Sequence, residues 1–367
     1  MTAVGTLRLG QKTGPAREVI ADRLMLMAGG VARSIAPLLP ASGSGLIVTA
    51  GQPHQTVRLL RREFPNLVLG MEPSGCAAQP ATPENPFVLP DDGLLQVGLE
   101  TILQEQINAG ASFAVTPTGY LLRGDARPLK AAVKIANMLD REDLVLYVPC
   151  DPGWLTLPDR RQFSAVLRTS RHPVALALGH QMNPLAERGV PEGLRVLCQD
   201  LPNLVLWRAD LSAFDGLSYG AVSAAIGVRA SQRHVVPPGR RGFSPHLEDR
   251  TPRVLVPGLL RYMRAGALQT LFASTSPPVC HCRVCCGAAL DRFDESSADI
   301  AAADGHNVLA LLELHEDLRA HAGQASGWWS GRLLAAWQEH QRVEAATSVK
   351  FELEPVLKVW LETTGSV

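Results

Sequence analysis

The fold is decided by LVLYV at Leu144–Val148, a short apolar segment. Two similar apolar segments follow, PVALAL at Pro173–Leu178 and NLVLW at Asn203–Trp207. Segments that are apolar at nearly every position are typical of parallel strands buried on both faces. A strand with one solvent-exposed face would instead alternate apolar and polar residues. Between the first two segments, Pro158–Arg168 has the apolar spacing of a helix. Strand and helix therefore alternate here, which favours a parallel α/β sheet, either closed or open.

The same alternation extends toward both ends of the chain. Helical patterns occupy Gly98–Ala109 and Arg127–Leu139, and two further helices are predicted at Gly323–Thr347 and Phe351–Glu362. A closed barrel needs eight strands. The sequence has nine strand-like segments, or ten with Leu271–Ala273, so one or two of them lie outside any barrel. The other six segments are Leu24–Ala28, Gly45–Thr49, Asn66–Met71, Ser112–Val115, Ala221–Val228 and Arg253–Val256.

Composition limits the class of protein. The chain has 367 residues, of which 46% are hydrophobic, enough for one large domain or two ordinary ones with a sizeable core. It contains no run of apolar residues long enough for a membrane-spanning helix, and its N-terminus lacks the pattern of a secretory signal. The formal net charge is zero, so overall charge gives no indication of a nucleic-acid partner.

The most distinctive motif is CHCRVC at Cys280–Cys285, followed by His306. The C-x-C-x-x-C spacing places three thiolates in one tight turn, and the later histidine completes a tetrahedral set that Zn²⁺ prefers. We predict a structural zinc site formed by Cys280, Cys282, Cys285 and His306, with no open coordination position. A group of buried or redox-active thiols is the alternative. A thiol cluster of this kind favours a reducing, cytoplasmic location.

This motif, with the His306-Asn307 pair that leads into an apolar run, resembles the zinc subdomain of the tRNA-guanine transglycosylases. The resemblance implies a (β/α)₈ TIM-like barrel with an inserted zinc-binding subdomain and C-terminal helices. We therefore expect the barrel in residues 1–275, the zinc-binding subdomain in 276–320 and a C-terminal helical segment in 321–367. It also implies an enzyme that exchanges guanine for a 7-deazaguanine base in nucleic acid.

The resemblance also suggests site residues. The family uses one carboxylate to attack the sugar C1′ and another to handle protons on the base. EPSG at Glu72–Gly75 follows a predicted strand and resembles the family's Asp-Ser-Gly-Gly motif, so Glu72 is the expected proton-transfer residue. Thr116 corresponds best to the family's base-recognition aspartate, and Cys150-Asp151-Pro152 is the alternative match if the strands are counted differently. His180 also follows a predicted strand, the place where barrel enzymes carry reactive groups, and is a candidate base or phosphate ligand; an ordinary loop histidine is the alternative.

One departure from the family concerns the nucleophile. The family places an aspartate in a strand shortly before the zinc cysteines, where this chain has AGALQTLFASTS at Ala265–Ser276 and no acid. The nucleophile has therefore either moved or been lost. Asp210, just after a predicted strand, is the expected relocated nucleophile. Asp215 is a second candidate, although Asp215-Gly216 also reads as a turn.

Arginines are concentrated between Arg229 and Arg264, which holds eight of them against two acids. Guanidinium groups bind phosphates through paired hydrogen bonds. We expect Arg240 and Arg241, in the long loop Val235–Pro252, to contact substrate. A general bias of the chain toward arginine is the alternative explanation.

Three functions remain open from the sequence. The first is a divergent transglycosylase-like enzyme that acts on guanine in DNA or a non-standard RNA, or on a free nucleoside. The second is a non-catalytic zinc-binding paralogue that binds nucleic acid or pairs with a related subunit. The third is an unrelated zinc-stabilised barrel. The resemblance further suggests a homodimer or heterodimer, with DNA or tRNA and guanine or a 7-deazaguanine as partners.

Overall fold

The structure is a computed structural model that describes residues 15–49, 51–73, 75–90, 97–241, 249–351 and 353–364. Ser74 of the EPSG motif lies outside the described residues. So do residues 242–248 of the long loop and the N-terminal residues on which the absence of a signal sequence was predicted.

Eight parallel strands form a nearly closed barrel in the order β3-β2-β1-β8-β7-β6-β5-β4. The barrel is followed by a first antiparallel hairpin, β9–β10, and a small second one, β11–β12. The strands are β1 Leu24–Ala28, β2 Ser44–Val48, β3 Leu69–Met71, β4 Ala114–Val115, β5 Leu144–Cys150, β6 Val174–Leu178, β7 Leu204–Ala209, β8 Ser223–Gly227, β9 Arg253–Val256, β10 Arg261–Arg264, β11 Val279–Cys280 and β12 Ala288–Ala289.

Helices follow most of the barrel strands and continue beyond them. Within the described ranges, no helix combines the length and the apolar character that a membrane crossing requires. The helices are α1 Ala16–Ile20, α2 Ala32–Ile35, α3 Pro53–Glu63, α4 Leu99–Asn108, α5 Arg127–Met138, α6 Asp159–Leu167, α7 Val190–Asp200, α8 Ser212–Ser218, α9 Ala265–Leu271, α10 Ser297–Ala320, α11 Ala325–Thr347 and α12 Pro355–Thr364.

Alternation along the strands separates two apolar layers. In β1, Met25 and Met27 point into the barrel, whereas Leu24, Leu26 and Ala28 pack outward against the helices. Both layers are buried, which explains why the strands read as continuous apolar segments. The (β/α)₈ barrel predicted from the alternation and the family resemblance is confirmed.

The barrel seam lies between β3 and β4, which are the two ends of the hydrogen-bonded sheet. Ser112 joins them: its backbone N–H donates to the Leu69 carbonyl at 2.7 Å, and its hydroxyl accepts from the Leu69 N–H at 3.1 Å. Phe113 packs directly against Gly70, where a Cβ atom would come within 2.6 Å of the ring. The absence of a side chain at Gly70 therefore lets the seam close over a large aromatic residue.

Helix α10 packs against α2, α8 and β1, where the eighth helix of the barrel is expected. The three cysteines of the CHCRVC motif therefore precede a helix that belongs to the barrel wall and that carries His306. We call these cysteines and His306 the metal motif. Because α10 lies inside the segment assigned to the zinc-binding subdomain, the assembly is continuous across residue 275. The boundaries 1–275, 276–320 and 321–367 stay a prediction.

Asp215 stabilises the packing of the last helices. Its carboxylate accepts from the Arg195 guanidinium at 2.7 Å and from the Trp329 indole N–H at 2.9 Å, and Arg195 also donates to Thr363. Asp215 lies within α8 and is 1% exposed. The turn predicted at Asp215-Gly216 is therefore wrong, and Asp215 is inaccessible to a ligand.

Two of the strand-like segments lie outside the barrel. Arg253–Val256 is a true strand, but it pairs with β10 in a hairpin. Leu271–Ala273 is not a strand, because Leu271 ends α9 and packs its apolar side into the cluster beside the metal motif. Short apolar segments suit a buried helix end as well as a strand, which explains the error.

We predict that His315 makes the stability of the fold depend on pH. Burial on α10 lowers its pKa to about 4. The unfolded chain binds a proton at about pH 6.5 and the folded chain only near pH 4, so stability falls as the pH drops through this window. The loss is at most about 3 kcal/mol. Urea unfolding from pH 7 to pH 4 measures it, and His315→Gln should make the curve less steep, although His172 and His340, whose pKa values burial also lowers, retain part of the dependence. An unchanged slope in the variant would contradict the assignment.

Candidate active site and metal centre

A cavity of about 870 Å³ opens at the carboxyl end of the barrel, where barrel enzymes carry their reactive residues. Its walls come from the ends of β6 and β7, the loop after β8 and the β9–β10 hairpin. The size is that of a typical small-molecule site. Its charged lining consists of five arginines and three acids, namely Arg208, Arg233, Arg250, Arg253, Arg264, Asp210, Asp249 and Glu354.

Glu72 reaches this end of the barrel from β3, but it is fully engaged. The Arg208 guanidinium binds it with two N–H groups, Nε to Oε1 at 2.7 Å and Nη2 to Oε2 at 2.5 Å. The Trp207 indole donates to Oε1 at 3.1 Å and the Tyr147 hydroxyl at 3.4 Å. Glu72 is 5% exposed and is not among the described residues that line the cavity. Its geometry is that of a structural ion pair.

Arg208 holds its position through an unusual backbone. Its φ of 52° lies in the left-handed region, and the pairing of β7 with β8 shifts register between Leu206 and Ala209. A bulge of this kind redirects a side chain at the end of a strand. Here it lets Arg208 reach Glu72 while its Nη1 donates to the carbonyls of Ser231 and His234.

Asp210 and His234 share the cavity wall. Asp210 Oδ1 accepts from the Ser212 N–H at 2.8 Å, which fixes the carboxylate at the start of α8. Burial lowers the pKa of His234, and the nearby Asp210 carboxylate partly opposes that shift. A neutral imidazole beside a carboxylate at the end of a barrel strand can exchange protons with a bound ligand.

The other residues predicted to contact substrate lie at or beyond the edge of this cavity. Thr116 is fully buried, and its hydroxyl accepts from the Tyr147 N–H and pairs with Thr118. His180 Nδ1 accepts from the Met182 N–H, and its Nε2 lies 3.8 Å from Glu187.

Arg240 and Arg241 are exposed on the long loop. None of these four residues is among the described lining of the cavity, whereas Asp210 is. Their proposed roles stay predictions.

Three arginines concentrate positive charge on one side of the cavity. Arg253 and Arg264 lie directly opposite each other across the β9–β10 hairpin. Arg233 stacks on the Tyr262 ring at 3.5 Å and donates to the carbonyls of Gly227 and Val228. Burial and the charges of its neighbours Arg264 and Arg233 lower the pKa of Arg253. Like charges held together in this way favour an anionic ligand.

The four residues of the metal motif lie close together. One ligand atom from each of Cys280, Cys282, Cys285 and His306 lies within 4.8 Å of the others, so the group can hold a metal ion. His306 directs Nδ1 toward Cys285 Sγ at 3.3 Å, and its Nε2 lies 2.8 Å from the Leu255 carbonyl. With Nε2 as the donor, Nδ1 is left as a metal ligand, an arrangement common for ligating histidines.

The metal motif and the cavity are linked through β9. His306 binds the Leu255 carbonyl, and Asn307 binds the Leu255 N–H at 2.7 Å and the Arg253 carbonyl at 2.8 Å. The same strand directs the Arg253 side chain to the cavity. The His306-Asn307 pair therefore fixes one wall of the candidate site.

Sequence reasoning missed several of the cavity residues. His234 and Arg233 lie in a loop without a recognisable motif, and Arg208 reads as an ordinary strand-end arginine. The concentration of arginines between Arg229 and Arg264 correctly indicated that this region contributes arginines to the cavity. It did not distinguish Arg253 and Arg264, which line the cavity from the hairpin, from Arg240 and Arg241 on the loop, which do not line it.

Comparison with known proteins adds little. No protein-family model matches the chain, and no curated protein matches it. Among solved structures, a designed cube-shaped protein cage has a TM-score of 0.33 and 11% identity, covering 94% of this chain and 92% of its own. The carboxyl transferase domain of Rhizobium etli pyruvate carboxylase, with oxamate and biotin, has a TM-score of 0.37 and 12% identity, covering 91% and 61%. Likenesses this weak support no inference about function.

We predict that Glu72→Gln destabilises the protein by about 3 kcal/mol, because it leaves the Arg208 charge without its partner. Arg208→Gln should cost a similar amount, and the double variant less than the sum of the two. Urea unfolding of the three variants measures this coupling. Wild-type stability of Glu72→Gln would contradict a structural role and return Glu72 to the list of catalytic candidates.

Proposed function

We propose that the protein is a divergent transglycosylase-like enzyme that exchanges guanine for a 7-deazaguanine base in nucleic acid, either DNA or a non-standard RNA. The observation that carries the proposal is the shared position of Asp210 and His234 in an arginine-lined cavity at the carboxyl end of the barrel. The resemblance of the thiol motif to the zinc subdomain of that family is independent support.

The proposed reaction has two balanced halves. The Asp210 carboxylate attacks the sugar C1′ and the bond from C1′ to guanine breaks, so that the base leaves with the bonding electrons and takes a proton from solvent. The neutral imidazole of His234 then accepts the proton of the incoming base as its nitrogen attacks C1′ and releases Asp210, and His234 afterwards returns that proton to solvent. His234 takes the proton-transfer role first assigned to Glu72, whose oxygens are already bound.

The cavity also suits the charge of the substrate. Arg233, Arg253 and Arg264 lie on the side of the cavity formed by the loop after β8 and the hairpin. A phosphate held there would place the attached sugar toward Asp210, which directly follows β7, and positioning of this kind contributes strongly to catalysis.

A second candidate is the non-catalytic paralogue that binds nucleic acid or a related subunit. The specific observation in its favour is the complete engagement of Glu72 by Arg208, which removes one of the two carboxylates that the family uses. The absence of an acid from Ala265–Ser276, now seen as α9 and the turns after it, agrees with this alternative.

We further propose that the metal is Zn²⁺ and that its role is structural. Three sulfur ligands and one imidazole nitrogen form a set that zinc prefers, and they leave no open position for a reaction. When bound, the ion would stabilise the turn around Cys282 and hold His306 against β9. A protein with this metal site is expected in the cytoplasm, and a dimer with itself or a related subunit belongs to the same proposal.

Metal analysis of the purified protein should find one zinc per chain. Cys285→Ser should lose the metal and lower the thermal midpoint, because structural zinc contributes directly to folding. Cys286→Ser is the matched control: Cys286 is exposed, adjacent in sequence and outside the four-residue group, so it should retain the metal. Equal zinc content in both variants, or none in the wild type, would refute the site.

The enzyme proposal is tested by exchange of labelled guanine or a labelled 7-deazaguanine into tRNA and duplex DNA. Asp210→Asn should abolish incorporation, and His234→Gln should lower it about 10²- to 10⁴-fold, the usual contribution of a proton-transfer group. Asp140→Asn, at an exposed position outside the cavity, is the control and should retain full activity.

Two results would count against catalysis. Incorporation that survives Asp210→Asn would remove Asp210 as the nucleophile. No incorporation by the folded, metal-loaded protein, alone and with any co-purified subunit, would favour the non-catalytic paralogue. Binding of tRNA or DNA in the same samples would then define the remaining function.

A further inference from the structure

The β9–β10 hairpin carries an unusual charge arrangement. Arg253 and Arg264 are directly paired across its two strands, and like charges in that position destabilise a hairpin. Within the described part of the chain neither guanidinium has an ion pair, and the Arg253 guanidinium has no hydrogen bond. The Nη1 of Arg264 donates to the Thr251 carbonyl at 2.6 Å, whereas its enclosed Nε has no partner. Such an arrangement is stable when an anion binds between the two groups.

A third arginine completes the group from another element. Arg233, from the loop after β8, is held rigid because its Nε and Nη2 donate to backbone carbonyls and its plane stacks on Tyr262. Its remaining Nη1 group is available to a ligand. We call Arg233, Arg253 and Arg264 the arginine triad.

The acids that line the cavity are occupied elsewhere. Glu354 pairs with Arg261 at 3.1 Å. Asp249 accepts from the N–H and hydroxyl of Thr251, and Asp210 accepts from the Ser212 N–H. None of the three has a described ion pair with a member of the triad. Within the described part of the chain the triad therefore has no ion-pair partner, although the Glu354 carboxylate partly opposes the lowering of the Arg253 pKa.

We infer that the arginine triad binds a terminal phosphate monoester, and that the ligand of the cavity is a nucleoside 5′-monophosphate unit with a free phosphate end. This inference deepens the proposed function, on which its guanine assignment rests. A monoester carries close to two negative charges and three terminal oxygens, enough to meet three guanidinium groups. An internal phosphodiester carries one charge and two such oxygens.

The triad also differs from the arginines first suggested by the sequence. Arg240 and Arg241 are exposed on a loop, where guanidinium groups keep most of their hydration. Arg233 and Arg264 of the triad are half-buried, and Arg253, although its side chain is partly exposed, lines the same cavity of about 870 Å³, a volume suited to a single nucleotide. An enclosed phosphate gains more from each hydrogen bond than an exposed one.

Calorimetric titration with guanosine 5′-monophosphate, guanosine and inorganic phosphate tests this inference. The monophosphate should bind at least about tenfold more tightly than guanosine, and phosphate should compete with it. Arg253→Gln should weaken the monophosphate about ten- to hundredfold and leave guanosine unchanged. Arg253→Lys should give an intermediate loss of affinity for the monophosphate, because lysine keeps the positive charge but lacks the paired hydrogen-bond donors of the guanidinium group.

Controls make a negative result informative. Arg58→Gln, an exposed arginine on α3, should leave binding unchanged. Thermal denaturation and zinc content should show that Arg253→Gln is folded, and Arg264→Gln repeats the test from the other strand. Equal affinity for guanosine and its monophosphate, or unchanged affinity in both variants, would overturn the triad. If an oligonucleotide without a terminal phosphate bound more tightly than guanosine 5′-monophosphate, and this binding depended on the triad, the preference for a phosphate monoester would be contradicted.

The two proposals can fail separately. If monophosphate binding depends on Arg253 but no base exchange occurs, phosphate binding by the triad is supported and the proposed reaction is contradicted. If base exchange occurs and Arg253→Gln does not affect it, the reaction is supported and the role of the triad is contradicted.

Discussion

The ion pair between Glu72 and Arg208 organises the carboxyl end of the barrel. It joins β3 to β7 across the interior, and the same guanidinium holds two carbonyls of the loop after β8. Trp207 and Tyr147, from the inner apolar layer, donate to the same carboxylate. Four donors in a buried site fix one geometry, because any other arrangement would leave a charge without a partner. The cavity wall formed by β7 depends on this pair.

The opposite wall depends on the metal motif. His306 and Asn307 on α10 bind the backbone of β9 much as a neighbouring strand would, and β9 directs Arg253 to the cavity. The thiol cluster, the last barrel helix and the arginine triad are thus one connected assembly. A metal in this position would affect ligand binding through the backbone of β9, without touching the ligand.

The barrel was predictable because each of its strands and helices can be recognised from the residue pattern of a short stretch of sequence. Eight apolar segments with helices between them identify the sheet, and the thiol spacing identifies the residues that can hold a metal ion. The role of Glu72 was not predictable, because its partner lies 136 residues away and the left-handed backbone of Arg208 leaves no sequence signal. The arginine triad was also hidden, since it depends on the register of a hairpin. The acid at Asp210 was found because strand ends are recognisable, whereas His234 lies in a loop without periodicity.

A structure of the protein bound to guanosine 5′-monophosphate tests the account most directly. The account predicts the phosphate within hydrogen-bonding distance of Arg253 and Arg264, and the sugar C1′ directed at the carboxylate of Asp210. A phosphate bound at Arg240 and Arg241, or a nucleotide with C1′ turned away from Asp210, would contradict it.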